Sequence, residues 1–88
     1  MNKALLANPH YQPALYNLAT LEASSNPLGA VTLYNQLLTL SPSNADALFN
    51  DGLLLIAHGS STQGHSDISK AISINPAFAK RLPAGITP

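Results

Sequence analysis

Apolar residues recur along the chain at helical spacing, and three apolar runs end in the same way. Each run is followed by a polar residue and a proline, at Asn8-Pro9, Ser41-Pro42 and Asn75-Pro76. Proline lacks the amide hydrogen that a helix interior requires, and it disfavours the helical conformation in the residue before it. The pattern therefore predicts three helix ends. The prolines are 33 and 34 residues apart, and a fixed period of this size is typical of stacked repeats.

Between these ends, apolar residues at i, i+3 and i+4 spacing predict two helices in each complete repeat. In the first helix, Leu15, Leu18 and Glu22 share one face, with Leu21 beside them. The predicted segments are a truncated repeat end at 1–9, a first repeat at 10–42, a second repeat at 43–76, and a short turn with an irregular tail at 77–88. The predicted helices within the two repeats span 13–24, 27–40, 45–58 and 62–74.

Short polar residues mark where these helices begin. Asn26 followed by Pro27 has the form of a helix cap and a first helical residue. Ser43 or Asn44 is expected to cap the next helix. Before the last helix, Ser60 and Gln63 have the spacing of a reciprocal capping box.

The charged share of the 88 residues is only 9%, against roughly 25% in ordinary proteins, and the net charge is zero. Without a basic field to hold phosphates, we expect no nucleic-acid binding and no attachment to anionic membranes. A nearly neutral surface favours association with proteins. The absence of cysteine excludes a disulfide framework and a zinc-thiolate site.

The first residues, 1–7, are apolar enough to suggest a signal peptide, but Asn8-Pro9 ends the run too early for one. No stretch of the sequence approaches the length of about 18 apolar residues that a membrane span requires. We therefore expect a soluble protein, with the cytoplasm favoured.

Two helices per unit with a period of about 34 residues resemble the tetratricopeptide repeat. The second unit matches its pattern by identity or class at Leu48, Gly52, Leu55, Gly64, Ile68, Ala71 and Pro76. The first unit matches it at Leu15, Leu18, Ala19, Ala30, Tyr34 and Pro42. Three positions depart from the pattern, at Glu22, Leu37 and Asp51. The small residues would allow neighbouring helices to approach closely.

This resemblance implies an all-α, right-handed solenoid of antiparallel helix pairs, with about two and a half repeats. It also implies a concave groove, lined by the first helix of each unit, that binds a peptide or an extended partner segment. The groove positions would be Tyr16, Asn17, Thr20, Ser24, Phe49, Asn50, Leu53 and Ile56.

Asn17 and Asn50 fall at the same place in the two units, and an amide can both donate to and accept from a peptide backbone. The alternative is that these residues are ordinary solvated positions of a helix surface. None of the groove positions is Lys or Arg, so we do not expect capture of a terminal carboxylate, as in one branch of the family. The aromatic and aliphatic groove residues favour an apolar ligand.

Two other functions remain open at this point. Because arrays of this kind generally need about three repeats and a polar cap, the ends of this one could drive homo-oligomerisation. The chain could also be a spacer in a longer protein, in which case replacing Asn17 and Asn50 by Ala would leave every interaction of the parent protein unchanged.

We expect no enzymatic activity, no cofactor and no metal. His58, His65 and Asp67 contain metal-ligating groups, but they lie across a predicted loop and not on one helix face. The sequence contains no G-x-S-x-G motif, which would place a nucleophilic serine on a strained turn, and no glycine-rich phosphate-binding motif.

Asp51 is the one unusual residue, because it occupies a place where the family buries leucine. An unpaired buried carboxylate is costly, so the side chain must reach solvent or meet a partner such as His65 or Lys70. We expect it to be exposed.

Overall fold

A computed structural model describes residues 12–86, and every regular element in that range is helical. The four α-helices are α1 (Gln12–Glu22), α2 (Pro27–Leu40), α3 (Ala45–Ala57) and α4 (Ser61–Ile74), and a 3-10 helix follows at Pro76–Arg81. The predicted all-α class is therefore confirmed. The repeat end predicted at 1–9 lies outside the described residues. None of the helices between residues 12 and 86 is both long and apolar enough to cross a bilayer.

The helices form two compact units, and the boundary between them falls after Pro42. In the first unit, α1 packs against α2. In the second unit, α3 packs against α4, and the 3-10 helix also packs on α4. Because a turn of only a few residues joins the two helices of each unit, each pair is an antiparallel hairpin.

The helix starts follow the predicted caps at two of three places. The Asn26 side chain accepts a hydrogen bond from the amide of Gly29 (3.2 Å), with Pro27 as the first helical residue. Asn44, not Ser43, caps α3 by accepting from the amide of Ala47 (3.1 Å). The capping box predicted at Ser60 is wrong, because the Ser60 side chain makes no capping hydrogen bond.

Backbone hydrogen bonds and backbone conformation in the connecting turns determine where α1 and α3 end. α1 ends at Glu22, two residues earlier than predicted, because the amides of Ser25 and Asn26 turn back onto the Glu22 carbonyl. α3 ends at Ala57, and Gly59 then adopts a positive φ of 97°. That conformation lets the Ser60 amide donate to the Leu55 carbonyl (2.8 Å), which satisfies a carbonyl at the helix end.

The apolar stripes predicted from the sequence supply most of the buried residues. In the first unit these are Ala14, Leu15, Ala19, Ala30, Tyr34 and Leu37. In the second unit they are Ala47, Leu48, Phe49, Leu55, Ile68, Ala71 and Phe78. Burial of such side chains contributes about 2 kcal/mol each for the larger ones, and it is the main stabilisation available to helices of only 11 to 14 residues.

The segment after α4 is more ordered than the short turn that the sequence predicted. Pro76 begins the 3-10 helix, and the Asn75 side chain caps it by accepting from the amide of Ala77 (3.1 Å). Phe78 is buried, so the helix is anchored to the second unit by an aromatic side chain. Residues 82–86 follow without helical structure.

Candidate functional site

The predicted groove residues of the first unit lie on the solvent side of α1 and the turn after it. Asn17, Thr20 and Ser24 are exposed, and Tyr16 is half-buried. On a helix of 3.6 residues per turn, Asn17 and Thr20 share one face. Ser24 follows the end of α1 and lies in the turn.

An aromatic and hydroxyl cluster holds this face in place. The Thr20 hydroxyl donates to the Tyr16 carbonyl (2.9 Å) and lies 3.2 Å from the Tyr34 hydroxyl. Either hydroxyl can donate in this second hydrogen bond, which links the side chains of Thr20 and Tyr34. The rings of Tyr16 and Tyr34 meet edge to face at 6.1 Å, so α2 positions the face of α1 through the buried Tyr34.

An exposed leucine lies within this polar face. Leu21 is 63% exposed, although the sequence pattern placed it beside the inward-facing residues. It lies one helical turn after Asn17 and next to Thr20. Leu28, at the start of α2, is 75% exposed. The first unit thus presents amide, hydroxyl and aliphatic groups to solvent with few charges, since Glu22 is the one charged residue in 12–42.

The predicted groove residue Phe49 in the second unit is buried and not open to a ligand. Its ring lies 5.0 Å from that of Phe78, and the Arg81 guanidinium lies 5.3 and 4.7 Å from the Phe49 and Phe78 ring centres. Arg81 also pairs with Asp46, on the first turn of α3, at 3.8 Å. The sequence pattern missed this arrangement because the covering residues come from the 3-10 helix, about 30 positions further along the chain.

The other three predicted residues of this unit, Asn50, Leu53 and Ile56, are half-buried. Ile56 faces α4, because its Cγ1 would lie 2.7 Å from a Cβ atom built on Gly64. Of the four positions predicted on α3, Phe49 and Ile56 are therefore used in packing within the unit. Asn50 and Leu53 also keep part of their surface accessible to solvent.

Asp51 is fully buried, so the expectation that it is exposed is wrong. Within the described part of the chain, no N–H or hydroxyl group donates a hydrogen bond to either of its carboxylate oxygens. Its neighbour on α4 is the buried Asp67, not His65 or Lys70. Burial raises the pKa of Asp51 to about 7, and hydrogen bonding to Asp67 and the negative charge of Asp67 act in the same direction.

The position of this carboxyl pair follows from two glycines. A Cβ atom built on Gly52 would lie 2.7 Å from the Gly64 carbonyl oxygen, so α3 and α4 approach each other closely at this point. Asp51 precedes the first glycine, and Asp67 lies one turn after the second. The sequence did contain a signal for the pair, because Asp51 is adjacent to Gly52 and Asp67 follows Gly64 by one helical turn.

No cluster of three or more metal-ligating side chains occurs between residues 12 and 86. His58 is exposed in the turn before α4, His65 is half-buried and Asp67 is buried. The three residues therefore differ in their exposure to solvent, and the buried Asp67 interacts with Asp51.

No protein-family model matches the chain, and a search of curated proteins found no similar one. The resemblance to tetratricopeptide repeats therefore depends on the period of the prolines and on the spacing of the small residues. The close approach of Gly52 and Gly64 and the complete burial of Ala19 and Ala30 are compatible with that spacing.

Proposed function

We propose that this chain is a helical-repeat module, similar to a tetratricopeptide solenoid, that binds an extended segment of a partner protein. The observation that carries the proposal is the face of α1, where Asn17, Thr20 and Leu21 are exposed together. An exposed leucine beside an amide is the combination that an extended peptide uses, since its backbone needs hydrogen-bonding groups and its side chains need apolar contacts.

The residues of this face have different roles in the proposal. The Asn17 amide donates to and accepts from the partner's backbone, and Leu21 contacts an apolar side chain. Thr20 is committed to Tyr16 and Tyr34, so it holds the face rigid. In a rigid face, less conformational entropy is lost on binding.

The second unit contributes less to this proposed interaction. Phe49 and Ile56 are used within the unit, and Asn50 and Leu53 are half-buried. We therefore place the main contact on the first unit. Because that unit has one charged residue in 12–42, we propose a partner segment that is uncharged and contains an apolar or aromatic residue.

Affinity capture with matched asparagine variants tests the proposal. Asn17→Ala removes the amide from the face of α1, whereas Asn35→Ala removes an amide that is also exposed, on α2 of the same unit. We expect captured partners to be lost with the first variant and retained with the second, while the helical circular dichroism of both is unchanged. Equal recovery from both variants would contradict the proposed face and favour a spacer.

Self-assembly is a second candidate, and the exposure of Leu28 and Leu21 favours it. Two large apolar side chains exposed near one turn can be covered by another copy of the chain. Light scattering across a range of concentrations distinguishes the candidates. A mass that rises with concentration in the wild type and not in Leu28→Gln would support self-assembly; a constant monomer mass would support partner binding.

A further inference from the structure

We propose that Asp51 and Asp67 form a proton-binding site inside the second unit, and that this site makes the stability of the unit fall as the pH rises from acidic values to neutrality. The site joins the two helices of the unit, with one carboxyl from α3 and one from α4. It is independent of the proposed partner-binding face, which lies mainly on the first unit.

The first argument is the environment of Asp51. Its side chain is fully buried, and neither oxygen has a donor among the residues that the structure describes. An ionised carboxylate is an acceptor only, so burying one without donors has a large desolvation cost. A protonated carboxyl avoids most of this cost because it is neutral.

The second argument is the identity of the neighbour. Two ionised carboxylates cannot hydrogen-bond to each other, because neither has a proton to donate. Once one proton is bound, one carboxyl becomes a donor and the other remains an acceptor, and the pair is satisfied. The interaction of Asp51 with Asp67 is thus a hydrogen bond in the singly protonated state and a repulsion in the fully ionised state.

Other charged groups near the site do not replace the proton. On α4, Lys70 is exposed and His65 is half-buried, and Asp67 is the charged side chain that acts on Asp51. On the 3-10 helix, Lys80 and Arg81 are exposed, and Arg81 pairs with Asp46. Besides Asp51, the titratable group of α3 is Asp46, which is exposed and lies five residues before Asp51.

The helix crossing leaves little room for the pair to separate. Backbone oxygens lie in the way of any Cβ atom at Gly52 or Gly64, which shows that the two backbones are already in close contact there. A second negative charge must therefore be accommodated by moving the helices apart or by admitting water. Either change loosens the packing of Ile68, which lies against Gly52.

The direction of the pH effect follows from linkage. The raised pKa of about 7 means that the folded chain keeps a proton that the unfolded chain, with an ordinary value near 3.8, has released. Between those two values the folded state is therefore favoured less as the pH rises, and the folding equilibrium constant falls by about tenfold per pH unit. Above about pH 7 both states are ionised, and this dependence ends.

Denaturant unfolding between pH 5 and pH 8 tests the site in the whole chain. The variant Asp51→Asn is neutral and nearly isosteric, and Asp46→Asn is the matched control on the exposed face of α3. We expect wild type and Asp46→Asn to lose stability across this range and Asp51→Asn to lose much less, so that Asp51→Asn is the most stable of the three at pH 8. The same pH dependence in Asp51→Asn and wild type would overturn the proposal.

Carbon-13 NMR of the side-chain carboxyl carbons gives a test that does not depend on the folding of Asp51→Asn. In the wild-type protein we expect the Asp51 signal to titrate with a midpoint near pH 7, and in Asp67→Asn the midpoint should move to lower pH. An Asp51 midpoint near 4 in the wild type would refute the proton-binding site. An unchanged midpoint in Asp67→Asn would refute the participation of Asp67.

Discussion

Gly52 and Gly64 face each other across the α3–α4 hairpin without room for a side chain on either one. A Cβ atom built on Gly64 would lie 2.6 Å from the carbonyl oxygen of Gly52, and one built on Gly52 would lie 2.7 Å from that of Gly64. The obstructing atoms belong to the backbone, so they cannot turn away as the end of a flexible side chain can. This contact fixes the distance between the two helices and brings Asp51 close to Asp67.

Replacing either glycine with alanine should therefore destabilise the second unit. Alanine favours a helix by about 1 kcal/mol over glycine, but forcing a methyl group into a packed contact costs about 1–3 kcal/mol, and here the obstruction is backbone. We expect a lower midpoint of thermal unfolding for Gly52→Ala and Gly64→Ala. Gly29→Ala is the control, because the nearest atoms there belong to the side chains of Asn26 and Glu22. A midpoint for Gly64→Ala at or above the wild-type value would contradict the close contact.

The 3-10 helix is predicted to be held mainly by Phe78 and less by charge. Phe78 is buried against Phe49, so Phe78→Ala should lower the free energy of unfolding by about 3 kcal/mol or more. Arg81→Lys keeps a positive charge but loses the planar group over both rings, at a cost of about 0.5–1 kcal/mol.

Asp46→Asn is the control for the ion pair. Both partners are more than half exposed, so the pair contributes at most about 1 kcal/mol. Urea unfolding measures all three variants. If Asp46→Asn were more destabilised than Phe78→Ala, the anchoring of this segment would be electrostatic and not aromatic.

Asn44 and Ser60 each precede a helix, but replacing them with alanine should affect stability differently. Asn44 accepts a hydrogen bond from the Ala47 amide, so Asn44→Ala should cost about 1 kcal/mol of stability. The Ser60 side chain makes no such bond, and Ser60→Ala should leave the unfolding midpoint nearly unchanged. Equal losses for the two variants, measured by urea unfolding, would show that the assigned caps are wrong.

Much of the fold is predictable from the sequence, because its helix boundaries coincide with strong local signals. The bounds of α2 at Pro27 and Leu40 are those predicted, since an asparagine and proline precede it and a serine and proline follow it. The end of α1 was predicted two residues too late. The sequence has no comparable stop signal at Glu22. The turn there is formed by backbone amides, which are present whatever the residue type.

The candidate site was harder to predict, because it depends on contacts between distant positions. Asp51 combined a polar residue type, which indicates exposure, with a position that indicates burial, and the position decided the outcome. The resemblance to the tetratricopeptide repeat implied that Phe49 lines the groove, but Phe78 and Arg81 cover it. The exposed residues Asn17 and Thr20 were placed correctly on the surface, because the periodicity of a single helix determines that property.

Direct selection of ligands from a library of random extended peptides tests the proposed binding face most closely. Peptides selected on the immobilised wild-type protein should contain an apolar or aromatic residue and few charges. Their binding should weaken by about tenfold with Asn17→Ala, which corresponds to the loss of about 1.4 kcal/mol of hydrogen bonding, and should be unchanged with Asn35→Ala. A selection that yields no peptide, or peptides that bind both variants as tightly as the wild type, would contradict peptide binding by the face of α1.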